Sequence, residues 1–165
     1  MPSLRFEKVG KNDRDAFRSM AEAYWRELMP NADVVNDAPA RDFYFQYQFG
    51  QDLRNRYLCW AKLEKRPVGF ISFMIDDDEK RASIHDVYVI PELRRKGHGS
   101  KMVEWLYNYL DKRNVERIDL NVRRDNPVAL AFWEAQGFGI TAYRMRQYRD
   151  PKTGRAFSAV LSSDV

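Results

Sequence analysis

Residues 87–100 read Val87-Tyr88-Val89-Ile90-Pro91-Glu92-Leu93-Arg94-Arg95-Lys96-Gly97-His98-Gly99-Ser100, an apolar stretch that passes through a basic glycine loop into a helix start. Strand, glycine loop and helix in that order suit anion binding. Glycines let successive backbone N–H groups turn inward on a phosphate, and the helix adds the positive end of its dipole. Two familiar nucleotide loops do not fit. A P-loop requires G-x-x-x-x-G-K-S/T, but Arg94 stands five residues before Gly99 and Ser100 takes the Lys place. The dinucleotide fingerprint G-x-G-x-x-G would need a third glycine where Met102 stands. Just upstream, His85 and Asp86 are adjacent titratable groups, and in a regularly alternating strand only one of them can face a substrate. A metal centre is not expected, because His85 and His98 have no Cys partners at ligand spacing. The lone Cys59 lies in an apolar strand pattern without an activating motif and reads as a buried structural thiol.

The scaffold for these groups follows from hydrophobic spacing. Leu4, Phe6 and Val9 suggest a first strand. Asn12 or Asp13 can cap a helix whose apolar positions Phe17, Met20, Ala21, Tyr24 and Leu28 run on to Pro30. Residues 34–55, dense in Phe and Tyr, read as one second helix preceded by a loop. Residues 57–63 and 68–75 are β-branched and aromatic runs joined by Glu64-Lys65-Arg66-Pro67, a hairpin pattern. Residues 82–90 form the strand that enters the glycine loop, and Met102, Val103, Leu106 and Leu110 share one face of the helix beyond it. Residues 115–122 alternate as a strand. Asp125 or Asn126 caps the next helix, Pro127 takes its first position and Gly137 stands where a left-handed C-cap belongs. Residues 140–148 and 156–161 complete a last hairpin. The order β-α-α-β-β-β-α-β-α-β-β is mixed α/β around one sheet.

Arg94-Arg95-Lys96-Gly97-His98-Gly99 matches the pattern Q/R-x-x-G-x-G/A, and with its surroundings it resembles the GNAT superfamily of N-acetyltransferases. The likeness extends to Asp86-Val87-Tyr88-Val89-x-Pro91-Glu92, to Asn126-x-x-Ala129-x-x-Phe132-Trp133-x-x-x-Gly137-Phe138, and to the hairpin end Pro67-Val68-Gly69-Phe70. It implies a single mixed, mostly antiparallel sheet flanked by helices, GNAT-like, with a splay between the central strands that carry Val89 and Val122. It also implies acetyl-CoA as acetyl donor. The pyrophosphate would lie on the loop from Arg94 through Arg95, Lys96, Gly97, His98 and Gly99 to Ser100. The pantetheine arm would pair with Val87, Tyr88 and Val89 and be flanked by Asn126, Phe132 and Trp133. The resemblance allows a homodimer.

An acceptor amine with a pKa of about 10.4 is neutral in only about one molecule in 2,500 at pH 7, so freeing it of its proton costs roughly 4–5 kcal/mol. Asp86 and His85 are the alternative bases: the first stands in the motif, the second has the better intrinsic pKa, and a water chain could serve in place of either. For the leaving thiolate, Trp133 stands where the family often has Tyr, and an indole does not hand over a proton. Release of an unprotonated thiolate with a pKa near 8.5 costs only about 2 kcal/mol at pH 7, so the reaction survives without that acid.

The chain has 165 residues, with 28 Lys+Arg against 24 Asp+Glu, and is read as one acetyltransferase domain over residues 1–165. Residues 92–101 carry a net +3 and residues 31–53 a net −3, which suggests an acidic, aromatic segment facing a cationic acceptor amine. A nucleic-acid partner is not expected, since the other positive residues are scattered. The longest apolar stretch, residues 68–75, is too short for a membrane helix, and Arg5, Glu7, Lys8 and Lys11 leave no room for a signal peptide, so the expectation is a cytoplasmic protein without a membrane partner. The function read from the sequence is acetyl transfer to a primary amine by direct attack, with a small-molecule acceptor. The alternatives are a non-catalytic acyl-CoA-binding module and a protein N-terminal or lysine acetyltransferase.

Overall fold

The continuous apolar run from Val68 to Ile75 is that of a strand buried on both faces, and it occupies the centre of the sheet. A computed structural model describes residues 3–49, 55–145, 148–149, 152–153 and 156–157. The main sheet has the order β1 (Leu4–Lys8), β2 (Arg56–Leu63), β3 (Arg66–Asp76), β4 (Arg81–Val89), β5 (Arg117–Leu120). The β1–β2, β2–β3 and β3–β4 pairs are antiparallel, and β5 joins β4 in parallel. The helices are α1 (Arg14–Leu28), α2 (Asp33–Asn36), α3 (Ala38–Phe49), α4 (His98–Asp111) and α5 (Pro127–Ala135).

Each face of the sheet is covered by its own core. On one side the α4 stripe of Met102, Val103, Leu106 and Leu110 packs on Ile71, Phe73, Ile75, Ala82 and Ile84, with Trp133 of α5. On the other, Phe17, Ala21 and Trp25 of α1 and Phe45 of α3 pack on Trp60, Phe70 and Tyr88. Burying one large apolar side chain contributes about 1.5–3 kcal/mol, so these two layers fix the sheet between the helices. Gly69 is required where β3 meets β4. A Cβ there would stand 2.1 Å from the Tyr88 carbonyl oxygen.

The structure corrects the expected elements at three places. The single helix expected within residues 34–55 is two, α2 and α3. Asp37 has extended backbone, its Oδ2 accepts a hydrogen bond from the Ala40 N–H at 2.9 Å, and Pro39 falls in the first turn, so the chain restarts a helix there. Residues 50–54 lie outside the described set. The strand expected over residues 115–122 is shorter, because its pairing with β4 stops at Leu120. Of the final hairpin, residues 140–145 form no strand, and β6 (Tyr148–Arg149) pairs with β7 (Ala156–Phe157) as a separate two-stranded sheet. The rest of that hairpin lies outside the described residues.

Candidate active site

The β4 strand carries one residue too many for its partner. The register passes from Ser72 opposite Asp86 directly to Phe73 opposite Ile84, so His85 is a β-bulge. The bulge reverses the alternation. Ala82 and Ile84 face the α4 core, whereas Tyr88 faces the α1 core, and Asp86, beside Ser72, shares the Tyr88 face. This overturns the expectation that only one of His85 and Asp86 can face a substrate: both line the same cavity.

Asp86 is held in place. Its Oδ2 accepts hydrogen bonds from Ser72 Oγ at 2.8 Å and from Gln48 Nε2 at 3.1 Å. Gln48 is only 4 % exposed, and its Oε1 is buried without a hydrogen-bond partner among the described residues. The Tyr24 phenol is pushed well above its ordinary pKa by burial and then by the Asp86 charge, so it stays neutral. The pKa of His85 is lowered from 6.5 by burial first and the Arg56 charge second, with Asp86 opposing, so its imidazole is neutral at pH 7.

The cavity has a volume of about 280 Å³, roofed by Tyr44, Tyr47 and Gln48 of α3 and floored by β4 and β5 residues including Asp119, with Asn121 just past the end of β5. It lies at a fork. The β4–β5 pairing runs from Arg81 opposite Arg117 to Ile84 opposite Leu120 and goes no further, whereas β4 stays paired with β3 as far as Val89 opposite Gly69. From Asp86 to Val89 one edge of β4 is therefore without a strand partner among the described residues, at the splay that the family resemblance implies.

Past the fork, the loop between β4 and α4 turns sharply. Arg95 (φ +59°) and Gly97 (φ +79°) both adopt left-handed backbone, the alternation that points neighbouring N–H groups into one concavity. The first helical N–H to bond backwards in α4 is that of Lys101, to the Gly97 carbonyl, which leaves the N–H groups of His98, Gly99 and Ser100 without an intrahelical acceptor. His98 Nδ1 is also buried without a hydrogen-bond partner among the described residues. A Cβ on Gly99 would come within 3.2 Å of the Phe132 ring, so α5 stands close beside the mouth of the loop. These groups fit a bound diphosphate: backbone N–H groups without an intrahelical acceptor lie at a helix N-terminus, and Gly97 has open space around it.

Residues 17–138 match the model of the acetyltransferase (GNAT) family. The chain belongs to the GNAT family. It is 32 % identical over 118 residues to the [ribosomal protein bS18]-alanine N-acetyltransferase of Escherichia coli K12, a match covering 71 % of this chain and 78 % of that one. It is also 30 % identical over 101 residues to an uncharacterised N-acetyltransferase of Methanocaldococcus jannaschii, a match spanning 58 % of this chain and 44 % of that protein's length. Among solved structures, the PaiA N-acetyltransferase of Thermoplasma acidophilum in complex with coenzyme A superposes with a TM-score of 0.69 at 17 % identity, over 86 % of this chain and 93 % of the other. This GNAT domain is thus an acetyl-CoA-dependent acyltransferase.

Within the GNAT domain, the side chains named from the sequence divide into those that reach the loop and fork and those that brace them. Arg94 braces: its Nε donates to the Val89 carbonyl at 2.8 Å, its Nη2 to Glu27 Oε2 of α1 at 2.7 Å, and the guanidinium lies over the Tyr88 ring. Lys96 Nζ donates to the Glu92 carbonyl at 3.0 Å. Asn126 caps α5, its Oδ1 accepting from the Ala129 N–H at 3.0 Å, so its amide group remains for a ligand. Trp133 is packed into the core between Phe132 and Phe138. Cys59 is half-buried, and burial pushes its thiol up to about 11, so it is not ionised at neutral pH.

The acidic segment expected to face the acceptor is engaged elsewhere. Asp42 bonds to Arg18 and Asp37 caps α3, while Asp52 lies outside the described residues. The carboxylates of the cavity come from the sheet, as Asp86 and Asp119, and only the aromatic part of the segment, Tyr44 and Tyr47, lines it. Sequence reading missed Gln48, Ser72, Arg56, Asp119 and Asn121. Two signals were present: Ser72 is the polar interruption of an apolar run, and Asp119 and Asn121 alternate with Ile118, Leu120 and Val122. Among the described residues no group of His, Cys, Asp and Glu is placed to hold a metal ion, and no helix is long and apolar enough to cross a membrane.

Proposed function

We propose that this GNAT domain moves the acetyl group of acetyl-CoA directly to the primary amine of a small molecule seated in the cavity at the fork. The observation that carries this reading is the coincidence of a fixed carboxylate, Asp86, with the point where the unpaired edge of β4 begins. The diphosphate would rest on the loop from Arg95 to Ser100, and the pantetheine arm would extend the sheet along Val87, Tyr88 and Val89, with Asn126 and Phe132 on its other side. That path ends beside the cavity.

When bound, acetyl-CoA supplies an activated acyl carbon. Asp86 holds the incoming ammonium group, and neutral His85, at the bulge beside it, accepts the proton as the amine becomes a nucleophile. The amine nitrogen forms a bond to the thioester carbon while the carbon–sulfur bond breaks. The thiolate leaves with the bonding pair and is protonated, while the acylated nitrogen gives up its second proton through solvent, so that the net proton released is the one His85 accepts. Backbone N–H groups on the open edge of β4 are the nearest donors for the thioester oxygen. A roofed cavity of about 280 Å³ suits a small acceptor.

The test mixes the purified protein with acetyl-CoA and a panel of polyamines, aminoglycosides, amino acids and their amides, and peptides that begin with alanine or contain lysine, and follows thiol release. Alanine-initiated peptides represent the acceptor named for the Escherichia coli relative. Turnover with small amines at higher kcat/KM than with peptides supports the reading. No turnover with any of them, while acetyl-CoA binds, contradicts it.

A further inference from the structure

Arg56, the first residue of β2, lines the cavity with Asp86, Asp119 and His85. It stands in one cross-strand row with Met74, Ser83 and Asp119, and Asp86 lies on the same face of the sheet two rows over, opposite Ser72. Three inter-strand steps of about 4.8 Å separate the Arg56 and Asp119 backbones, roughly 14 Å. Arg56 makes no salt bridge with any described carboxylate, its guanidinium lies 4.9 Å above the Tyr47 ring, and its Nη1 is buried without a hydrogen-bond partner among the described residues. At the other end, Gln48 Oε1 is an equally buried acceptor without a donor among the described residues. A buried, unpartnered guanidinium N–H is costly unless an anion meets it, and an unpartnered amide oxygen beside a carboxylate awaits a donor.

We infer that the cavity is built for a zwitterionic acceptor, an amine whose own carboxylate lies a few ångströms away as in an α-amino acid, with Arg56 binding the carboxylate and Asp86 and Gln48 the ammonium group. The inference rests on the acetyl-transfer reading above and narrows its acceptor class. The two charges face one small space: burial and Asp86 raise the Tyr44 phenol pKa while Arg56 lowers it, and His85 feels the same pair in the same sense, lowered by Arg56 and raised by Asp86. Arg56 is then a specificity residue, since a planar, doubly donating guanidinium matches a carboxylate where no amine alone would need it.

The experiment compares matched acceptors that differ only in the carboxylate: a set of amino acids, their carboxamides and the corresponding decarboxylated amines, each with acetyl-CoA. The wild-type protein is expected to favour the amino acids over the amides by at least about tenfold in kcat/KM, the size of one charge-assisted contact. Arg56→Gln is expected to reduce that ratio at least about tenfold, and Arg56→Lys to restore part of it, with the acetyl-CoA Kd reporting that both variants are folded. Equal turnover of acids and amides, or a ratio unmoved by Arg56→Gln, overturns the inference and leaves acetyl transfer standing. Absence of turnover with every amine overturns both.

Discussion

Two hydrogen bonds and one extra residue decide the chemistry that Asp86 and His85 can share. Ser72 and Gln48 occupy Oδ2 of Asp86 and so orient the carboxylate, and the bulge at His85 puts an imidazole on the same cavity. Division of labour between them makes distinct predictions. Asp86→Asn removes a charged partner of the ammonium group, and the acceptor KM is expected to rise about tenfold or more with a smaller change in kcat. His85→Gln removes the proposed proton acceptor, and kcat at pH 7 is expected to fall about 100-fold. The sign of the pH dependence follows from the lowered pKa. Wild-type kcat should decline as pH falls through a value below 6.5, where the imidazole becomes charged and can no longer accept a proton, and His85→Gln should lack that limb. Steady-state kinetics across pH 5–9 on all three proteins checks each of these, and an acid limb that persists in His85→Gln would remove His85 from the role.

At the scale of elements, the site depends on two close approaches and on a fork. Gly69 lets β3 lie against the Tyr88–Val89 stretch of β4, and a Cβ 2.1 Å from a carbonyl oxygen cannot be accommodated without moving a strand. Gly69→Ala is expected to destabilise the fold by at least about 2 kcal/mol, seen as a Tm lowered by roughly 4–8 °C. Gly99 is less tight, a Cβ there meeting the Phe132 ring at 3.2 Å, and it lies at the helix start rather than in the core. Gly99→Glu puts bulk and negative charge where the diphosphate would lie. It is expected to weaken acetyl-CoA binding at least about 100-fold by calorimetry, with thermal stability changed little. Most elements were legible from periodicity: the buried run of β3, the α4 stripe, and the Asn126–Pro127 start and Gly137 end of α5 all lie where spacing and capping residues put them. The restart at Asp37 also had a signal, an acid two residues before Pro39, but the dense aromatics masked it. The bulge had none, because His85 carries no local mark of an extra residue. It is defined only by the partner strand, and sequence alternation therefore allowed only one of His85 and Asp86 to face a substrate.

At the scale of the whole molecule, the two cores hold β4 from opposite faces, and the short β5 leaves one edge of it without a strand partner past Ile84 among the described residues. Cofactor loop and acceptor cavity thereby lie at opposite ends of one open edge, and Arg94 ties the loop back to α1 through Glu27. The charge separation read from the sequence keeps its basic half in that loop, while its acidic half moves from the helical segment to the sheet. A crystal structure of the protein with coenzyme A and an acetyl acceptor tests this arrangement most directly. The account predicts the diphosphate on the N–H groups at the start of α4, the pantetheine along Val87–Val89, and the acceptor amine within about 3.2 Å of Asp86 beside the sulfur. A coenzyme bound away from the β4–β5 fork, or an acceptor seated outside the cavity of His85 and Asp86, would contradict it.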